Sequence, residues 1–170
     1  MLPRHVLAML RDDGFDRAHP SASGAKTEAD YRGLRVRVMS ASKAAAYKPG
    51  PHEVAISIRG NTERPTLLSS KFVDVLELVF DDTGAFASYA MHGLDNPNSI
   101  TPDQADAVAA FVNRHRDASA LLINCAASIS RSRSMAAAIC NELELPYIWA
   151  AVNDDVYGKV TEAFSRSGSA

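Results

Sequence analysis

Residues 121–139 read Leu-Leu-Ile-Asn-Cys-Ala-Ala-Ser-Ile-Ser-Arg-Ser-Arg-Ser-Met-Ala-Ala-Ala-Ile. Three kinds of local structure follow one another there. Leu121-Leu122-Ile123 is a short continuous apolar run, the mark of a strand buried on both faces. Cys125 to Arg131 holds small and polar residues, which predicts a tight loop. From Arg131 onward, Met135, Ala136, Ala137, Ala138 and Ile139 combine high helix propensity with apolar character. Strand, short loop and helix form the repeating unit of α/β folds.

Three further strand signals precede this unit. Leu34, Val36 and Val38 alternate with Arg35 and Arg37, which predicts a strand with one wet face. Val54, Ala55, Ile56 and Ile58 form a second run that ends at Gly60-Asn61. Val73, Val75, Leu76, Leu78, Val79 and Phe80 form a third, stopped by Asp81-Asp82. Helices fall between them. Ser42 opens a short Ala-rich helix that ends before Pro49-Gly50. Thr101-Pro102-Asp103-Gln104 supplies an N-cap oxygen, proline at the first helical position and glutamine at the reciprocal capping-box place. Ala105, Val108, Ala109 and Val112 then share one face. Asn153 or Asp154 caps a last helix carrying Val156, Val160 and Phe164. Tyr147 and Trp149, after Pro146, are expected to pack under it.

The expected fold is therefore α/β: a single domain over residues 33–170. Its central, mainly parallel sheet would have about four to five strands flanked by helices. Residues 1–32 are expected to form a flexible N-terminal segment, because 10–32 are polar and rich in turn formers. Val6, Leu7 and Leu10 mark a short amphipathic helix within it.

Composition excludes several functions. With 18 Lys+Arg against 20 Asp+Glu the formal net charge is −2, without the concentrated positive field that nucleic acid or an anionic membrane surface requires. No apolar run reaches the ~20 residues of a membrane helix. The five histidines are scattered and the two cysteines too few for a four-thiolate site, so no metal and no other cofactor is expected. Two cysteines also make no disulfide framework and suit a reducing cytoplasm. Cys140 lies ~13–14 Å along the helix from its start at ~1.5 Å per residue, too far to pair with Cys125. It reads as a core residue.

Cys125 stands at the place where open α/β sheets bind ligands, beyond the carboxyl end of a strand and before a helix N-terminus. Small residues at Ala126, Ala127, Ser128 and Ser130 let successive amides turn inward as an anion nest. Arg131 offers a planar fork to two oxygens of a tetrahedral anion. A thiolate at the base of such a nest is stabilised by the helix N-terminus and the cation. Those features describe a loop that binds phosphate and attacks it through sulfur.

The spacing Cys125-x5-Arg131-Ser132 resembles the signature of the cysteine-dependent phosphatases, the tyrosine and dual-specificity superfamily. Its preferred form is His-Cys-x-x-Gly-x-Ser-Arg-Ser followed by a helix. The similarity extends over roughly residues 34–166 and is most like compact bacterial and phage members that carry Gly-Ile-Ser-Arg-Ser, where this chain has Ser128-Ile129-Ser130-Arg131-Ser132. The resemblance implies that Cys125 is the nucleophile and forms a cysteinyl-phosphate. The amides of Ala126, Ala127, Ser128, Ile129, Ser130, Arg131 and Ser132, with the Arg131 side chain, would hold the phosphoryl oxygens. Ser132 would hydrogen-bond the thiolate. The family's general acid is an Asp after the preceding strand, which implies Asp82, with Asp81 and Asp95 as the other candidates.

Two positions depart from that pattern: Asn124 replaces the family's histidine and Ser128 its glycine. Three functions remain open at this point. The first is a phosphate-monoester hydrolase acting on a phosphorylated protein or a small phosphomonoester, disfavouring polyphosphorylated inositides because the loop has no lysine. The second is a catalytically weak or inactive phosphate-binding relative, and the third a sulfurtransferase-like use of Cys125. The long loop 83–100 reads as a mobile lid or a substrate rim. Tyr89 and His92 on it are candidate rim contacts, with solvent-facing loop residues the preferred reading.

Overall fold

Leu121 is 2% exposed and Leu122 and Ile123 are fully buried, because their strand has a neighbour on each side and side chains packed on both faces. The computed structural model describes residues 34–83, 97–146 and 153–168. Its strands are β1 (Arg35–Ser40), β2 (Glu53–Arg59), β3 (Val75–Val79) and β4 (Ala120–Cys125). Its helices are α1 (Ala41–Ala46), α2 (Pro102–Arg114), α3 (Arg131–Glu142) and α4 (Asp154–Ser167). The single domain is α/β, and its one sheet has four strands, all parallel, in the order β1-β4-β2-β3. The N-terminal segment 1–32, Tyr89, His92, Asp95, Tyr147 and Trp149 lie outside the described residues.

Alternation along each strand sends successive side chains to opposite faces. One face carries Val36, Val38, Val54, Ile56, Ile58, Leu121 and Ile123 into the main core, closed by α2, α3 and α4. The other carries Met39, Ala55 and Leu122 into a smaller cluster covered by Ala44 of α1 and by Phe72 and Leu68 from the β2–β3 connection. That unequal cover explains why β4 reads as continuously apolar while β1 alternates.

The helix starts follow their capping chemistry. Thr101 accepts from the Gln104 amide at 3.2 Å while Gln104 Oε1 accepts from the Thr101 amide at 3.0 Å, a complete capping box. Asn153 caps α4 by accepting from the Val156 amide at 3.1 Å. The short helix α1 begins one residue earlier than Ser42 suggests: Ser40, the last residue of β1, is its cap. Strand register brings Ser40 level with Cys125 and Ser57 level with Asn124. The ends of β1 and β4, and the chain just beyond β2 and β3, therefore share one edge of the sheet.

Candidate active site at the carboxyl edge of the sheet

Cys125 closes β4 with 2% of its surface exposed. The chain then leaves the sheet in the loop 126–130. The Ala126 carbonyl accepts from the Ala41 amide at the start of α1, at 3.2 Å. Because the trans peptide holds C=O and N–H antiparallel, the Ala127 amide points away from α1. Ser128 adopts φ 58°, the left-handed conformation that glycine takes without cost, and its hydroxyl is buried without a hydrogen-bond partner. Ala126, Ala127 and Ile129 face outward, Ile129 with 62% of its surface exposed.

Ser130 stands at the N-cap of α3 yet makes no side-chain cap bond. Its hydroxyl donates instead to Asp82 Oδ1 at 2.7 Å. The first-turn amides of α3 are thus left uncovered by the side chain that would ordinarily occupy them. Ser132, in that first turn and fully buried, puts its Oγ 3.1 Å from Cys125 Sγ.

Arg131 is only 5% exposed, and three contacts orient it. Nη1 donates to the Phe80 carbonyl at 3.0 Å, and Nη2 donates to Glu63 Oε1 at 2.8 Å and Oε2 at 3.1 Å. Nε is buried and has no partner. The guanidinium is thus held at both terminal nitrogens, and its inner N–H is the donor left over. Glu63 is itself fixed by the Gly60 amide at 2.7 Å. The Arg131 guanidinium above all, with the Gly60 amide, holds the Glu63 carboxyl below its ordinary value.

The two aspartates after β3 have different surroundings. Asp81 accepts from the Asn61 amide at 2.8 Å and from Asn61 Nδ2 at 3.1 Å. Those two bonds lower its pKa, assisted by the charge of Arg131. Asp81 braces the turn after β2. Asp82 is exposed and faces the loop, where Ser130 Oγ and Asn153 Nδ2 both donate to its Oδ1. Segment 80–82 is thereby tied to the start of α3 at Phe80 and to the loop at Asp82.

Asn124 is fully buried; its Nδ2 donates to Thr66 Oγ1 at 3.1 Å while its Oδ1 has no partner. The amide links β4 to the β2–β3 connection. Cys140 is also fully buried, and burial pushes its thiol up. Both cysteines are free thiols. Among the described residues no group of His, Cys, Asp and Glu is arranged to hold a metal ion.

The edge of the sheet thus brings together Cys125, Arg131, Ser132 and, through Ser130, Asp82. Chemically, a thiol, a hydroxyl, a guanidinium and a carboxyl group share that edge. Glu63, Gly60, Asn61 and Thr66 also belong to this site, and sequence reading did not find them; Gly60-Asn61 was visible only as a turn. Asn153 was visible only as a helix cap. No family model matches the chain, and neither does any curated protein or solved structure.

Proposed function

We propose that this protein hydrolyses phosphate monoesters through a cysteinyl-phosphate on Cys125, in the manner of tyrosine and dual-specificity phosphatases. The observation that carries this reading is the buried, unpartnered Nε of Arg131, on a guanidinium braced by Glu63 and Phe80. That N–H, beside the loop that begins at Cys125 and without a protein partner, is available to an oxygen of an anionic ligand. The thiolate of Cys125 attacks phosphorus as the bond to the leaving oxygen breaks, and Asp82 delivers its proton to that oxygen. Water then attacks phosphorus, gives its proton to the Asp82 carboxylate, and the S–P bond breaks to release inorganic phosphate. The Ser132 hydroxyl, 3.1 Å from the sulfur, stabilises the departing thiolate. Loop amides and Arg131 carry the charge of the phosphoryl oxygens through both steps.

The substrate is a phosphorylated protein or a small phosphomonoester. The loop face presents Ala126, Ala127 and Ile129, with no lysine for a second phosphate. The free thiols suit a reducing compartment, which we take to be the cytoplasm. No helix among the described residues is long and apolar enough to cross a membrane.

The second reading is a protein that holds phosphate without turnover. Ser128 favours it, because a side chain at φ 58° with a buried unpaired hydroxyl occupies the place that a loop wrapping an anion gives to glycine. Hydrolysis of phenyl phosphate by wild type, Cys125→Ser and Asp82→Asn separates the two. Turnover that requires Cys125 supports the hydrolase. Absent turnover with retained binding of inorganic phosphate supports the second reading.

A further inference from the structure

We propose that Asn153 is a positioning residue for the acid of this site: it fixes the Asp82 carboxyl so that Oδ2 gives and takes the proton. The proposal rests on the phosphatase reading and deepens it.

Asn153 is fully buried and joins three elements. Its Oδ1 accepts from the Val156 amide and caps α4, its backbone amide donates to Ser134 Oγ of α3 at 2.9 Å, and its Nδ2 donates to Asp82 Oδ1 at 3.1 Å. A cap needs only an oxygen, which serine or aspartate supplies as well. Asparagine alone among those three adds an amide donor, and here that donor reaches Asp82. The amide orientation is set by its neighbours: the flipped form would face an oxygen to the carboxylate and an NH2 to a backbone N–H.

Asp82 is exposed, so packing does not hold its side chain. Two hydrogen bonds do, and both end on Oδ1: Nδ2 of Asn153 and Oγ of Ser130 at 2.7 Å. A proton on Oδ1 would oppose these donors. Oδ2, without a partner among the described residues, is the oxygen left to carry it. In the first step the Oδ2 proton goes to the leaving oxygen as S–P forms and P–O breaks. In the second, a proton of water returns to Oδ2 as the new O–P bond forms and S–P breaks. Donors from two separate elements, the loop before α3 and the cap of α4, resist the half-turn that would exchange the two oxygens.

The test compares phenyl phosphate, whose basic leaving group needs a proton, with 4-nitrophenyl phosphate, whose leaving group departs readily without one. Asn153→Ser keeps a cap acceptor and loses the amide donor. It is expected to lower kcat on phenyl phosphate by ~10-fold, a part of the ~100-fold or more that a general acid supplies. On 4-nitrophenyl phosphate the expected loss is under ~3-fold by the same principle. In an Asp82→Asn background the substitution should cost nothing further on phenyl phosphate. Thermal unfolding checks that the variant folds, and Asn153→Thr, which also keeps a cap acceptor, loses the amide donor and adds no charge, gives the same substrate ratio if Asn153→Ser does not fold. Equal losses on both substrates, or a loss that persists without Asp82, overturn the proposal alone. Absence of Cys125-dependent turnover by the wild type overturns the phosphatase reading and this proposal together.

Discussion

Nη2 of Arg131 donates to both carboxylate oxygens of Glu63, 2.8 Å and 3.1 Å away, across 68 residues of chain. The guanidinium is 5% exposed and the Glu63 side chain 37%, so a buried cation is braced from a half-open position. This pair, with the Phe80 carbonyl on Nη1, fixes the guanidinium in place.

Glu63→Gln removes the counter-ion and leaves Arg131 buried with a neutral partner. We expect a loss of about 1–2 kcal/mol at neutral pH, kept small because Glu63 is partly solvated. The carboxyl is held below its ordinary 4.5, chiefly by Arg131, so the wild-type advantage is present above that value. It disappears as pH falls through the lowered value in the folded state. Urea unfolding from pH 7 to pH 3 should show wild type and variant converging at the acid end; a constant gap would contradict the pairing.

Arg131→Lys keeps the charge and removes the fork. One ammonium cannot serve the Phe80 carbonyl, Glu63 and an anion together. Affinity for inorganic phosphate, measured by calorimetry, should fall by at least ~10-fold. Unchanged affinity would place the anion site elsewhere.

Ser128→Gly relieves a left-handed conformation that costs an L-residue roughly 1–2 kcal/mol. It also deletes a buried hydroxyl that bonds to nothing. The variant should melt about 2–4 °C higher for each kcal/mol recovered and turn over aryl phosphate at least as fast. A lower melting temperature or weaker phosphate binding would show that the hydroxyl serves the loop.

Gly60→Ala would put a Cβ 2.7 Å from Asp81 Oδ1, 3.3 Å from Glu63 Cδ and 3.5 Å from Arg131 Nη1. Asp81 cannot swing aside without giving up its two bonds to Asn61. A cost of about 1–2 kcal/mol is expected, and most of it should vanish in an Asp81→Ala background. Denaturant midpoints of the four proteins measure both; simple additivity would contradict the crowding.

What the sequence disclosed is what short-range physics controls. The capping box at Thr101 and Gln104, the apolar run of β4 and the start of α3 at Arg131 are set by residues within a few positions. The start of α1 falls one residue before Ser42, because Ser40 at the end of β1 supplies the cap, and only the end of that strand fixes it. Glu63 and Thr66 were illegible. Their partners, Arg131 and Asn124, lie 68 and 58 residues away, and no local pattern marks an acid or a hydroxyl that meets the site through the fold. The resemblance favours Asp82 over Asp81, and the fold gives the two different surroundings: Asn61 bonds Asp81, while Ser130 and Asn153 bond Asp82.

The most direct measurement is acid-quenched peptide mass spectrometry of the protein during turnover of phenyl phosphate. The account expects one phosphoryl group on the peptide containing Cys125, absent in Cys125→Ser, together with loss of at least ~1000-fold in turnover by that variant. Hydrolysis that proceeds with no phosphoryl group on Cys125, or that survives its replacement, would contradict the account.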